Sequence, residues 1–260
     1  MRHYALAFAT PLLGGLLAFC GKESAGPPAT PAEVTMVSGN GQTGMAGDPL
    51  PFPLVIKVST TSGTPASGVL VRFDLLTTGG SLTPDTTRTD DQGLASSTWI
   101  LGGSTGTQRA VVTSAAVPAA RDTFIASVIA AAPATLQIAS GDHQSDTVGR
   151  LLPLVLAVVS RDRFGNPSGG ATVLWTIVAG SGGLSTSSGV SDSTGISSTT
   201  WTLGTVIGTG KVVATGVGLP GRPAVDTFTA ILTADAPDTL FVASGAVSYT
   251  HLTLPTIYSV

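Results

Sequence analysis

Apolar and polar residues alternate with a period of two along several short stretches of this chain. In VLVRFDL, Val69, Val71, Phe73 and Leu75 share one side, with Leu70, Arg72 and Asp74 between them. In TVLWTIV the matching set is Val173, Trp175 and Ile177, separated by Leu174 and Thr176. Leu54, Ile56 and Val58 make a further strand of this kind, as do Ala95, Ser97, Trp99 and Leu101, and the segments around Val111 to Thr113 and Thr123 to Ala126 supply more. Period two is the signature of a β-strand with one buried face. SGTP, TTGG, DDQG and GGST separate these strands in the first half, and FGNP, GSGG, DSTG and GTVIG in the second; these are turn sequences. No stretch has helical periodicity. LLPLVLAVV (Leu151 to Val159) reads as a buried strand, too short for a membrane span.

The pattern occurs twice. TWILG (Thr98 to Gly102) returns as TWTLG (Thr200 to Gly204), and VSGNGQ (Val37 to Gln42) returns as ASGDHQ (Ala139 to Gln144), both at an offset of 102. The offset shrinks to 100 at PLVIKV (Pro53) against PLVLAV (Pro153), and grows to 104 at DTF (Asp122) against DTF (Asp226). Such shifts fall where connections tolerate insertion. A period near one hundred residues matches a whole domain able to bury its own core. About seven short antiparallel strands per copy point to an all-β chain: two tandem immunoglobulin-like β-sandwich domains, residues 32–132 and 133–235, plus the first strand of a truncated third. Trp99 and Trp201 are expected in the two cores, followed by a core Leu and a Gly that frees the backbone for a turn. The short junction at Ala132-Pro133 is expected to limit bending, because proline fixes its own φ and restricts its predecessor.

Composition adds the cellular setting. With 33 Gly, 17 Pro and 42% hydrophobic residues, apolar material suffices for cores and turn formers abound. Twelve Lys plus Arg against fifteen Asp plus Glu give a net charge of -3 with no basic stripe along the sequence, which argues against a nucleic-acid partner. Residues 1–19 read as an export signal: a short polar start at Arg2-His3, then an apolar run from Ala5 to Phe19. Residues 20–31 read as a flexible tether. LAFC ends the signal in Cys20, the single cysteine, and resembles the lipobox of bacterial lipoproteins, in which Leu17 and Ala18 are favoured types and Phe19 departs from the usual small residue. That resemblance makes Cys20 a lipid-attachment residue and Cys20 the link to a membrane; the other reading is a cleaved signal with an incidental cysteine.

The repeated elements also carry a family resemblance. GNGQTGMAGDPLPFPLVIKV, GTPASGVLVRFDL and TRTDDQGLASSTWILG in the first copy, with DRFGNPSGGATVLW and SDSTGISSTTWTLG in the second, resemble the group-one bacterial Ig-like domains found in tandem in invasin and intimin. The resemblance covers about residues 32–235. It implies a bacterial cell-surface protein whose domains act as a stalk or an adhesion module toward a surface protein or glycan; taken with the lipobox resemblance, the expected location is the cell envelope, lipid-anchored at the outer membrane or cell surface. The outer-membrane barrel and terminal lectin-like domain of those adhesins have no counterpart in this sequence, so their receptor binding does not transfer. A polysaccharide or cell-wall binding module of a larger exported protein is the alternative.

Residues for chemistry are sparse. His3, His143 and His251 stand apart, so neither a zinc site nor a catalytic triad is indicated, and no enzyme activity or cofactor is expected. Asp90-Asp91, and Asp122 with Asp226, offer carboxylates of the kind that bind calcium between domains. The same residues suit turns in TDDQG and SDSTG and the opening of a strand at Asp-Thr-Phe, which is the preferred reading. The three tryptophans fall at inward positions and the tyrosines Tyr4, Tyr249 and Tyr258 lie outside the repeats, so no aromatic platform for sugars is expected.

The end of the chain breaks the pattern. APDTLFVASG (Ala236 to Gly245) matches APATLQIASG (Ala132 to Gly141), as if a third domain begins near Pro237, and then AVSYTHLTLPTIYSV follows with nothing of the repeat in it. Residues 236–260 are thus read as a truncated third repeat with a tail resembling translated adapter sequence, foreign to the native protein from about Val247 and expected to pack poorly.

Overall fold

Nineteen strands and no helix make up the residues that the computed structural model describes, 30–221 and 224–236. The first nine are β1 (Pro31–Ser38), β2 (Gln42–Met45), β3 (Leu54–Thr60), β4 (Leu70–Leu75), β5 (Ser81–Thr83), β6 (Thr86–Arg88), β7 (Leu94–Ile100), β8 (Gly106–Thr113) and β9 (Arg121–Ile129). Then come β10 (Pro133–Ser140), β11 (Gln144–Thr147), β12 (Leu156–Asp162), β13 (Thr172–Ala179), β14 (Gly182–Leu184), β15 (Ser188–Val190), β16 (Ile196–Thr199), β17 (Trp201–Leu203), β18 (Gly208–Gly216) and β19 (Val225–Thr233). The export signal, Cys20, most of the tether, and the third repeat and tail from Pro237 onward lie outside the described residues.

The strands form two sandwiches. In the first, the sheet β1-β3-β7-β5 faces the sheet β2-β9-β8-β4-β6. In the second, β10-β12-β16, with the ribbon β14-β17 extending the layer, faces β11-β19-β18-β13-β15. The alternation read from the sequence is what the layers bury: Leu54, Ile56 and Val58 are fully enclosed on β3, Val71 and Phe73 on β4, Val173 and Trp175 on β13. The buried residues gather into two clusters, one drawn from Val34 to Ala131 and the other from Leu136 to Leu232. Trp99 and Trp201 are wholly buried, one in each, and the indole N–H of neither finds an acceptor, so each acts through apolar burial. All-β Ig-like sandwich architecture is therefore carried by the chain's own strand order.

Four expectations need correction. Nine and ten strands replace the seven expected per copy, because β5, β6, β14 and β15 are only three residues long and too short to show alternation, and because the counterpart of β7 is broken at Thr200 into β16 and β17. GSGG (Gly180 to Gly183) accordingly runs into β14 instead of being only a turn. Pairing is not all antiparallel: β2 runs parallel to β9 and β11 parallel to β19. The run Leu151 to Val159 is not one buried strand. Leu151, Leu154 and Val155 are exposed, Leu152 is buried, and the strand starts at Leu156.

The Gly after Trp-Leu also has a different reason from the one expected. Neither Gly102 nor Gly204 has positive φ. A Cβ on Gly102 would lie 3.0 Å from the Thr78 carbonyl oxygen, and one on Gly204 would lie 2.6 Å from the Ser181 carbonyl carbon. Close backbone approach, not turn conformation, crowds a side chain at Gly102 and excludes one at Gly204.

Candidate functional site

A repeated clamp sets the edge of each sandwich. The Gln42 side chain donates to the carbonyls of Gly39 and Phe52 and accepts the Phe52 N–H; Gln144 does the same with Gly141, Leu154 and the Leu154 N–H. One residue pair earlier, Asn40 accepts the N–H of Ile125, and Asp142 accepts the N–H and hydroxyl of Thr229. This explains why GNGQ and GDHQ recur: they tie the turn after each sandwich's first strand both to the segment before β3 or β12 and to the last strand. Burial alone would push the Asp142 carboxyl up, but the bonds from Thr229 and His143 and the nearby His143 ring hold it below its ordinary value.

Where the copies differ is more informative. The loop after β3 reads TTSGTPA and its counterpart after β12 reads DRFGNPS, at the same offset of 102 (Thr60 to Ala66 and Asp162 to Ser168). In the first loop Thr60, Ser62 and Thr64 only bond one another through their hydroxyls. The second loop is the junction between the two sandwiches.

Asp162 is its centre. It is 2% exposed at the end of β12. One carboxylate oxygen accepts the N–H groups of Phe164 and Asn166, both at 2.9 Å. The other accepts the Ala131 N–H at 3.0 Å and the Asn166 side-chain amide at 2.8 Å. Burial would raise its pKa, yet these donors, led by the Asn166 side chain, hold it below the usual carboxylate value. Asp162 is thus kept ionised and joins the connecting segment to the second sandwich.

Around it the loop grips the first sandwich. Asn166 donates to the Gly103 carbonyl at 2.7 Å, and Ser168 donates to the Ala131 carbonyl at 2.6 Å. The Phe164 ring lies on Gly47 and Gly103, whose missing side chains make room for it; a Cβ on Gly103 would sit 2.6 Å from the ring. Arg163 stacks its guanidinium 4.7 Å from the Phe164 ring centroid and stands 3.4 Å from Asp48. Only Ala130, Ala131 and Ala132 separate β9 from β10. A cleft of about 340 Å³ between Met45, Ile129 and Pro167 runs beside this linker.

The other residues singled out from the sequence are dispersed. Asp90 accepts the N–H groups of Gln92 and Leu94, and Asp192 those of Thr194 and Ile196, so both shape their turns. Asp91 accepts the Ser67 hydroxyl. Asp122 opens β9 and Asp226 opens β19. Burial, and then the Asp142 charge, push Asp226 up, and one of its oxygens is enclosed without a partner. His143 is exposed with φ of 56° and pairs with Asp142 at 3.0 Å. Among the described residues no three His, Cys, Asp or Glu side chains converge as a metal site would require. The junction loop went unrecognised in the sequence, where its signal was the contrast between DRFGNPS and TTSGTPA at equivalent positions.

No family model and no curated protein matches the chain. Solved structures do. The Escherichia coli adhesin FdeC is 20% identical over 78% of this chain and 65% of its own, with a TM-score of 0.46. Invasin, a bacterial integrin-binding protein, is 20% identical over 78% of this chain and 39% of its own, with a TM-score of 0.37. Domains 1–6 of the surface layer protein SbsC are 17% identical over 81% of this chain and 29% of its own, with a TM-score of 0.40. The chain spans less than two thirds of each.

Proposed function

We propose that this protein is a non-enzymatic structural stalk or adhesion module of the bacterial cell surface. Export by residues 1–19, anchorage through a lipid on Cys20, and two sandwiches at residues 32–132 and 133–235 complete the reading, with a surface protein or glycan as partner. The observation that carries it is the junction. A three-residue linker, a buried and fully bonded carboxylate at Asp162, and an aromatic ring seated on two glycines serve to fix direction from one sandwich to the next. Such a joint suits a spacer that must hold something away from a membrane. Adhesin and surface-layer proteins with sandwiches of this type are consistent with that role.

Residual dipolar couplings of the two sandwiches test it. A single alignment tensor is expected to fit both; two independent tensors would mean a loosely strung pair and would remove the basis for the stalk.

A further inference from the structure

The sheet β2-β9-β8-β4-β6 gathers the positive charge of the first sandwich. Residues 32–132 contain five cations, Lys57, Arg72, Arg88, Arg109 and Arg121. The four arginines lie on β4, β6, β8 and β9 at positions that alternate with the buried Val71, Phe73, Ala110, Val112 and Phe124, so all four occupy the outer face of this one sheet. Register aligns two of them. Thr86 pairs with Arg72, Arg72 with Thr113, and Thr113 with Arg121, giving a row across four adjacent strands. Two strand spacings put Arg72 and Arg121 roughly 10 Å apart at the backbone. Between them is a cleft of about 510 Å³, lined by Leu70, Arg72, Thr86, Thr113, Pro118 and Arg121 among others.

The second sandwich provides an internal comparison. Its residues equivalent to Arg72, Arg88 and Arg121 are Leu174, Val190 and Val225, and only Arg109 has a cationic counterpart, Lys211. Leu174, Val190 and Val225 are exposed on the same face. The fold therefore needs no arginine at these positions. Arg72 is held by Asp74 at 2.7 Å, and Arg88 donates to the Gly68 carbonyl. Neither Arg109 nor Arg121 is within ion-pair distance of a carboxylate among the described residues.

We propose that this cleft binds an acidic polysaccharide, with a sugar carboxylate or sulfate between Arg72 and Arg121 and sugar hydroxyls toward Thr86 and Thr113. Guanidinium groups bind such anions through paired N–H donors, which gives geometry as well as attraction. The cleft, lined by the sheet face and by Ser114, Ala115 and Pro118 of the connection after β8, admits a narrow, substituted chain. A bilayer surface is too flat to enter it, and the face has no aromatic side chain on which bases of a single-stranded nucleic acid would stack; Phe52 lies in the loop before β3 and Phe164 at the junction. The inference is independent of the stalk reading, which rests on the other end of the sandwich.

The test uses the full-length chain on immobilised polygalacturonate and dextran sulfate, with neutral dextran, phosphatidylglycerol vesicles and duplex DNA in parallel, at about 0.15 M salt. The wild type is expected to bind one or both acidic polymers and none of the other three, the preferred polymer telling carboxylate from sulfate. The double variant R72L/R121V borrows the second sandwich's own residues and should keep the melting profile while weakening binding at least about tenfold. R72K/R121K, which keeps charge and loses the paired donors, should also weaken it, and K211A should not. No binding by the wild type, equal binding by both arginine double variants and wild type, or equal binding to vesicles or DNA would overturn the proposal.

Discussion

Phe164, in a loop of the second sandwich, lies so close to Gly103 of the first that a Cβ there would stand 2.6 Å from its ring. The contact joins two residues that share no strand and no hydrophobic cluster. It is maintained by the Asn166 bond to the Gly103 carbonyl and by Arg163 over the ring's other surroundings. Gly103→Ala is therefore expected to displace Phe164 and loosen the joint while leaving both cores intact. Separate alignment tensors for the two sandwiches, with unchanged melting, are the predicted result; a retained common tensor would show that Phe164 is not what holds the angle.

Asp162 makes the joint sensitive to acid. Its folded pKa lies below the unfolded value of about 3.9, so its stabilisation is fully present above that pH and is lost as pH falls through the folded pKa. Asp162→Asn replaces one accepting oxygen by a donor facing donors, at an expected loss of about 1–3 kcal/mol at pH 7. Urea melts at pH 7 and pH 3 check this. The wild type should lose more stability between the two than the variant does, and identical slopes would contradict it.

Much of the fold was legible in the residues. Val69, Val71 and Phe73 announced their burial because a half-buried strand needs period two, and the two TW-x-LG phrases marked two cores because tryptophan at an inward position has to be enclosed. The parallel strand at Gln42–Met45 was not legible, since QTGM has no alternation and is placed by the glutamine clamp and by pairing with β9. Nor was the joint. DRFGNPS contains no periodic element, and its meaning comes from Gly47, Gly103 and Ala131, over thirty residues away in sequence. The arginine row was hidden for the same reason: Arg72 and Arg121 are far apart along the chain and are brought onto one row only by sheet register.

Each core is expected to fail alone. Trp201 is fully buried among Leu136, Val158 and Phe228, a cluster that shares no residue with that of Trp99. Trp201→Ala should cost about 3–5 kcal/mol in the second sandwich and leave the first unchanged. Denaturation followed by resolved amide signals of each sandwich separates the two transitions; an equal loss in residues 32–132 would reveal coupling through the joint.

The proposed lipid attachment at Cys20 has a direct readout. The wild type grown with labelled palmitate should carry the label and partition into detergent, and Cys20→Ser should do neither. Labelling of both proteins alike would place the anchor elsewhere.

The parallel pairing of β2 with β9 bears on mechanical load. If the chain is pulled from its two ends, β2 is drawn toward its start and β9 toward its finish, along the same axis in opposite directions. The ladder from Gln42↔Ala126 to Met45↔Ile129 is then loaded in shear, so its hydrogen bonds share the force and must give way together instead of unzipping in turn. β11 and β19 repeat the arrangement in the second sandwich. A tension applied between a membrane and a distant attachment would thus meet a matched catch in each unit.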